Sequence, residues 1–159
     1  MKLRLPFLFV SLILAAVQVA PAQGAGLSAP KSIVAGSAFN VQSTGSGAAI
    51  LYIVGPDQVL KQNVQLGETA PFPAGSLYNA GHYLVILAAN SSTQSASLDV
   101  IPESEPARIN FLAKPTRLPV QLHNDITGAA YVFDAHDNLI YAPMPVSFEL
   151  SGPSGAKQT

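Results

Sequence analysis

Beyond residue 25 no stretch of this chain repeats its apolar residues at the 3.6-residue period of a helix. Short runs of Val, Ile, Leu, Tyr and Phe recur instead, each closed by Gly, Pro, Asn or Ser. Runs of four to eight residues returning every 8–12 or so are the pattern of a sheet-forming chain, because a strand needs only a few residues and a turn to reverse it. A charged content of 11% points the same way, since long surface helices draw heavily on Glu and Lys. The expected fold class is all-β.

Read in order, the first candidate strands are Ser32–Val34 and Ala38–Ser43. In the second, Phe39 and Val41 alternate with polar residues and belong on a buried face. Ala49–Val54 is continuously apolar, which predicts a central strand covered on both faces. Gly55-Pro56-Asp57 ends it, and Val59–Leu66 alternates again, with Leu60, Val64 and Leu66 in phase. Gly67–Tyr78 carries prolines and is expected to be an irregular connection between two sheets. A turn at Asn79–Gly81 then runs into a strand to Ala89, Asn90–Ser92 is a turn, and Gln94–Ile101 is a strand around Ala96, Leu98 and Val100.

Pro102-Glu-Ser-Glu-Pro106 has a proline at each end and two glutamates, the composition of an extended linker, placed at residues 103–107. The strand pattern restarts at Ile109–Ala113, with a short candidate at Val120–His123, a longer one at Ile126–Asp134, a turn over Asp134–Asn138 and a strand at Pro145–Leu150.

The N-terminus is of a different kind. Lys2 and Arg4 precede an apolar run from Leu5 to Val19, and Ala20-Pro21-Ala22 puts small residues at both positions read by a signal peptidase. This predicts a cleaved secretory signal peptide over residues 1–22, with Ala25 as the second choice of cleavage site. A membrane anchor is the other reading, but it needs about 20 predominantly apolar residues, and the run is shorter. With no cysteine in the chain, lipid attachment at a cysteine after the signal is closed, and so is stapling by disulfides.

Removal of residues 1–22 would leave 137 residues, in which six basic residues face nine acidic ones. That is enough chain for one domain or two small ones. No basic stretch suggests nucleic acid or an anionic membrane as partner. No membrane span is expected once the signal is removed.

Residues 26–102 resemble a bacterial immunoglobulin-like domain, on strand number, length and the local sequence Ala80-Gly81-His82-Tyr83-Leu84-Val85. The resemblance implies a β-sandwich in which Tyr83 forms a tyrosine corner, its hydroxyl bonding back to nearby backbone. Gly81 lies beside it. Val85 stands where disulfide-bearing members have cysteine.

Residues 106–159 resemble the first half of an invasin/intimin-type immunoglobulin-like repeat. The resemblance rests on Val132-Phe-Asp-Ala-His-Asp-Asn138 followed by Pro143-Met-Pro-Val-Ser-Phe148. The family's turn glycine is absent, and His136-Asp137-Asn138 takes its place, with Asn138 tolerant of left-handed geometry. The fold this implies is a tandem of immunoglobulin-like β-sandwiches, the second (residues 108–159) incomplete. A half sandwich would expose Phe111, Tyr131, Phe133 and Phe148, so the native protein is expected either to continue past Thr159 or to dock this unit on the first.

Little in the chain suggests catalysis. There is no cysteine and no Gly-x-Ser-x-Gly elbow, and His82, His123 and His136 lack metal-ligand spacing. No enzyme activity and no cofactor are expected. Asp134, Asp137 and Asn138 would either lend oxygens to a calcium ion, which takes 6–8 of them, or close a hydrogen-bonded turn. Asn90-Ser91-Ser92 is a formal glycosylation sequon or a plain turn.

Of Tyr52, Phe72, Tyr78, Tyr131 and Tyr141, the two in the proline-bearing connection, Phe72 and Tyr78, are the best candidates for a ligand-stacking surface. The expected function is that of an exported structural, spacer or adhesive module at the bacterial envelope, in the periplasm, at the cell surface or secreted. Its partner would be a protein or a polysaccharide. A carbohydrate-binding accessory module and a strand-exchanging assembly factor are the alternatives.

Overall fold

A computed structural model describes residues 24–90, 92–114, 127–151 and 157–158. The expected signal peptide, the short strand at Val120–His123 and Ser91 of the sequon lie outside them. The described residues form twelve strands and no helix. Eight belong to the first unit: β1 (Gly26–Ser28), β2 (Ser32–Val34), β3 (Phe39–Thr44), β4 (Ala48–Val54), β5 (Val59–Gln65), β6 (Thr69–Phe72), β7 (Gly81–Ala89) and β8 (Ser92–Ile101).

They make two sheets, β1-β3-β6 and β2-β8-β7-β4-β5. All pairings are antiparallel except β2 with β8. The two sheets share one core, an arrangement compatible with a β-sandwich. Phe39, Val41, Ala70 and Phe72 come from the smaller sheet. Leu51, Ile53, Tyr83, Val85, Leu87, Leu98 and Val100 come from the larger, and Leu77 from a loop.

Period-two alternation decides which side chains enter this core. β4 shows why a continuous apolar run misleads. Only Ala49, Leu51 and Ile53 are buried, so the strand is not covered on both faces. Ile50 and Tyr52 lie on the outer face in cross-strand rows, Asn63–Ile50–Ala88 and Lys61–Tyr52–Ile86. There they shield one another, with the Lys61 ammonium 5.9 Å from the Tyr52 ring centroid.

The stretch expected to be irregular contains β6. Pro71 sits in it without harm because β6 is an edge strand. Its alternation turns Ala70 and Phe72 inward, and Phe72 stacks on Phe39 at 4.8 Å between centroids.

The second unit is smaller. β9 (Arg108–Lys114) and β10 (Thr127–Phe133) form a two-stranded antiparallel ribbon, and β11 (Leu150–Ser151) pairs with β12 (Lys157–Gln158). The expected strand at Pro145–Leu150 is not formed, since residues 143–149 are not in a strand and only Leu150 enters one. Pro143 and Pro145 remove two of the N–H donors that a ladder would use. Phe148 instead rests against Phe111, 5.3 Å between ring centroids.

Candidate functional site

The best-organised polar cluster among the described residues lies where the ribbon meets the first unit. It begins with the corner before β7. Tyr83 is buried, and its hydroxyl donates to Asn79 O at 2.8 Å. The ring lies close against Gly55, where a Cβ would collide with it. Gly81 takes φ 155°, and a Cβ there would stand 3.0 Å from Pro56. The sequence Gly55-Pro56 and Gly81-His82-Tyr83 therefore folds as one packed corner. Burial first, then Asp57 and Tyr78, push the Tyr83 phenol above its ordinary pKa.

The opposing piece is the turn after β10. Asp134 is 1% exposed, the one buried charged side chain among the described residues. Its Oδ1 accepts from the backbone N–H of His136 (2.9 Å) and Asn138 (2.8 Å). Its Oδ2 accepts from Asn138 Nδ2 (2.9 Å) and from Glu103 N–H (3.0 Å). Burial alone would raise the pKa of this carboxyl, but the Asn138 side chain and the backbone N–H groups of Asn138, Glu103 and His136 outweigh it and hold the group below the usual carboxylate range.

The four lone-pair positions of the carboxylate are thus taken by N–H donors, and none is left for calcium. Among the described residues no group of three or more His, Asp or Glu side chains could hold a metal ion.

Asn138 carries the turn across to the corner. Its Nδ2 donates to Tyr78 O (2.8 Å) and its Oδ1 accepts from Ala80 N–H (2.7 Å). The left-handed residue of the turn is Asp137, at φ 64°, not Asn138. Asp137 takes the strained position next to Arg108, 2.9 Å away, and so leaves Asn138 to face the corner. His136 closes the other flank. Its ring packs against Gly36, and its Nε2 is 3.8 Å from Glu103 Oε1.

Residues 103–107 are accordingly no free tether. Glu103 N–H is bound by Asp134, and Ala107 N–H donates to Phe133 O at 2.8 Å.

Tyr83, Gly81, Asp134 and Asn138 therefore meet in one junction. Phe72 does not join it. Buried against Phe39, it offers no face for stacking a sugar ring. Tyr78 is partly exposed, and its carbonyl serves the junction. Glu103, Ala80, Gly36 and His136 were missed as members of the site. Their contribution is backbone or shape, and no residue-type signal marks it. Elsewhere His82 and Asp99 pair across β7 and β8 in the open, at 2.5 Å. No family model and no curated protein matches the chain.

Proposed function

We propose that the protein is an exported, non-catalytic tandem of immunoglobulin-like β-sandwiches, the second incomplete in this chain, with a structural, spacer or adhesive role at the bacterial envelope. One observation carries this reading: the Asp134–Asn138 turn clasps the corner of the first unit. A spacer must transmit orientation, and two β units joined only by a tether would not. Here four hydrogen bonds converge on a buried carboxylate, and two more cross to the corner.

The Tyr83 corner supports the immunoglobulin-like reading of residues 26–102. The Asp-capped turn supports the invasin/intimin-like reading of the second unit. Small-angle scattering on the native protein tests the role: a single narrow distribution of dimensions is expected, broadened by Asn138→Ala. A native protein as broadly distributed as that variant overturns the spacer reading, and cell fractionation that finds the uncleaved chain in the cytoplasm overturns export.

A second reading, a strand-accepting assembly factor, has its own support. The β9–β10 ribbon presents Ile109, Phe111, Ala113, Gly128 and Ala130 on one face, and Ile109 and Phe111 are more than half exposed. A two-stranded ribbon is marginal alone. Capture of an alternating apolar peptide, with new hydrogen-exchange protection in residues 108–114, would favour this reading over the spacer.

A further inference from the structure

We propose that the edge of β5 that has no neighbouring strand among the described residues pairs antiparallel with β5 of a second copy of this chain, about a two-fold axis through Gln62. The inference stands on the edge itself and does not depend on the role argued above.

Four strands bound the two sheets of the first unit: β1 and β6 in one, β2 and β5 in the other. β1 and β2 are three residues long, and β6 has four and contains Pro71. Short strands and proline are the usual protections of an edge. β5 has neither, running seven residues without proline, Val59-Leu-Lys-Gln-Asn-Val-Gln65.

The two ends of the β4–β5 hairpin fix which of its backbone groups are free. Gly55 N–H donates to Gln58 O at one end and Leu66 N–H to Gly47 O at the other, each at 2.8 Å. The register between them is unbroken. Bonded and non-bonded pairs alternate in an antiparallel ladder. Leu60, Gln62 and Val64 therefore bond to β4, while Val59, Lys61 and Asn63 turn their N–H and C=O groups outward; Gln65 turns outward too, but its carbonyl already accepts from Glu68 N–H at 3.2 Å and from the Ser43 hydroxyl at 3.5 Å. Lys61, a residue type that commonly guards an edge, carries its ammonium back over Tyr52 of its own sheet.

The sequence of β5 is self-complementary in one register. With Gln62 on the axis, Lys61 faces the second copy's Asn63 on both sides of the axis and these pairs carry the ladder, while Val59 faces the second copy's Gln65, whose carbonyl is already engaged by Glu68 N–H and the Ser43 hydroxyl. On the inner face Leu60 meets Val64 and Gln62 meets Gln62. No like charges oppose. An axis through Lys61 would set two ammonium groups together, and one through Asn63 would set Gln62 against Val64. Room exists on the inner side. A cleft of about 600 Å³ runs between β5 and β6, lined by Gln62, Val64, Ala49, Ala70, Pro71 and Ala89 among others. The second copy's Leu60 would enter it beside Val64.

Sedimentation velocity on the natively purified protein, from micromolar to millimolar concentration, tests the proposal. A monomer–dimer equilibrium is expected. Asn63→Asp, which places a carboxylate opposite Lys61 twice about the axis, should tighten it about five-fold, and Asn63→Lys should weaken it by a similar factor. Asn63→Pro removes an outward N–H that β4 does not use and should abolish the dimer, with the far-UV circular dichroism unchanged. A protein monomeric throughout, or a dimer indifferent to Asn63→Lys and Asn63→Pro, overturns the proposal. Weakening by both Asn63→Asp and Asn63→Lys overturns the register.

Discussion

Tyr83 and Asn138, 55 positions apart in the sequence, take adjacent carbonyls of one loop: the Tyr83 hydroxyl binds Asn79 O and the Asn138 amide binds Tyr78 O, both at 2.8 Å. The corner is thus held from inside by a residue of the first unit and from outside by a residue of the second. Ala80 N–H, bound by Asn138 Oδ1, completes three consecutive residues with a backbone group fixed by a side chain.

Asn138→Ala removes three side-chain hydrogen bonds and leaves Asp134 Oδ2 with one fewer donor. Each such bond contributes roughly 0.5–1.5 kcal/mol net, so a loss of about 2 kcal/mol from the docking of the second unit is expected. Hydrogen exchange should report it. Amides of residues 127–140 should lose protection while those of β4 and β7 keep theirs. Equal loss in both would mean that the two units unfold as one.

Gly55 and Tyr83 form the inner half of the same corner. Gly55→Ala would drive a methyl group into the Tyr83 ring, which is buried in the same core as Leu51, Ile53 and Val85. Overpacking of this kind costs about 1–3 kcal/mol. Tyr83→Phe should cost less, about 1 kcal/mol for the lost hydroxyl bond. Because the raised Tyr83 pKa favours the neutral phenol in the fold, its contribution is complete below the unfolded phenol value and is lost as pH rises through the folded one. Alkaline melts of the native protein and of Tyr83→Phe should therefore converge at high pH.

Phe72→Ala tests the placement of that ring. Deleting an aromatic side chain from a packed core costs about 3–5 kcal/mol, whereas Tyr78→Ala, at a half-exposed position, should change chemical denaturation midpoints little. A Phe72→Ala protein of native stability would contradict the stacking on Phe39.

What could be read from the sequence follows from how local each signal is. Phe39 and Val41, or Leu98 and Val100, announce their face by alternation with polar neighbours, and they are buried. β6 escaped notice because Pro71 and Pro73 argue against a strand unless one knows it lies at an edge, and edge position is a property of the assembled sheet. The Pro145–Leu150 segment failed in the opposite sense: its alternation suits a strand, but a strand needs a neighbour to bond. The Asp134–Asn138 turn was visible as a turn from composition alone. Its docking on Tyr78 and Ala80 was not, because the contact spans 58 to 60 residues and uses backbone groups that every residue type carries.

The buried carboxylate sets the acid response of the junction. Asp134 has its pKa held below the usual carboxylate range by the donors around it, against the effect of burial. A depressed folded-state pKa contributes stability that is fully present above the unfolded carboxylate value and is lost as pH falls through the folded one. The second unit should therefore stay docked at neutral pH and release in acid, with the loss confined to the region below the ordinary carboxylate range. Asp134→Asn tests this directly. An amide keeps the shape but turns an NH₂ group toward N–H donors, so it should weaken docking at neutral pH and flatten the acid limb. The checking measurement is hydrogen-exchange protection of residues 127–140 against pH in both proteins. Acid limbs of equal steepness would show that another carboxylate governs the release.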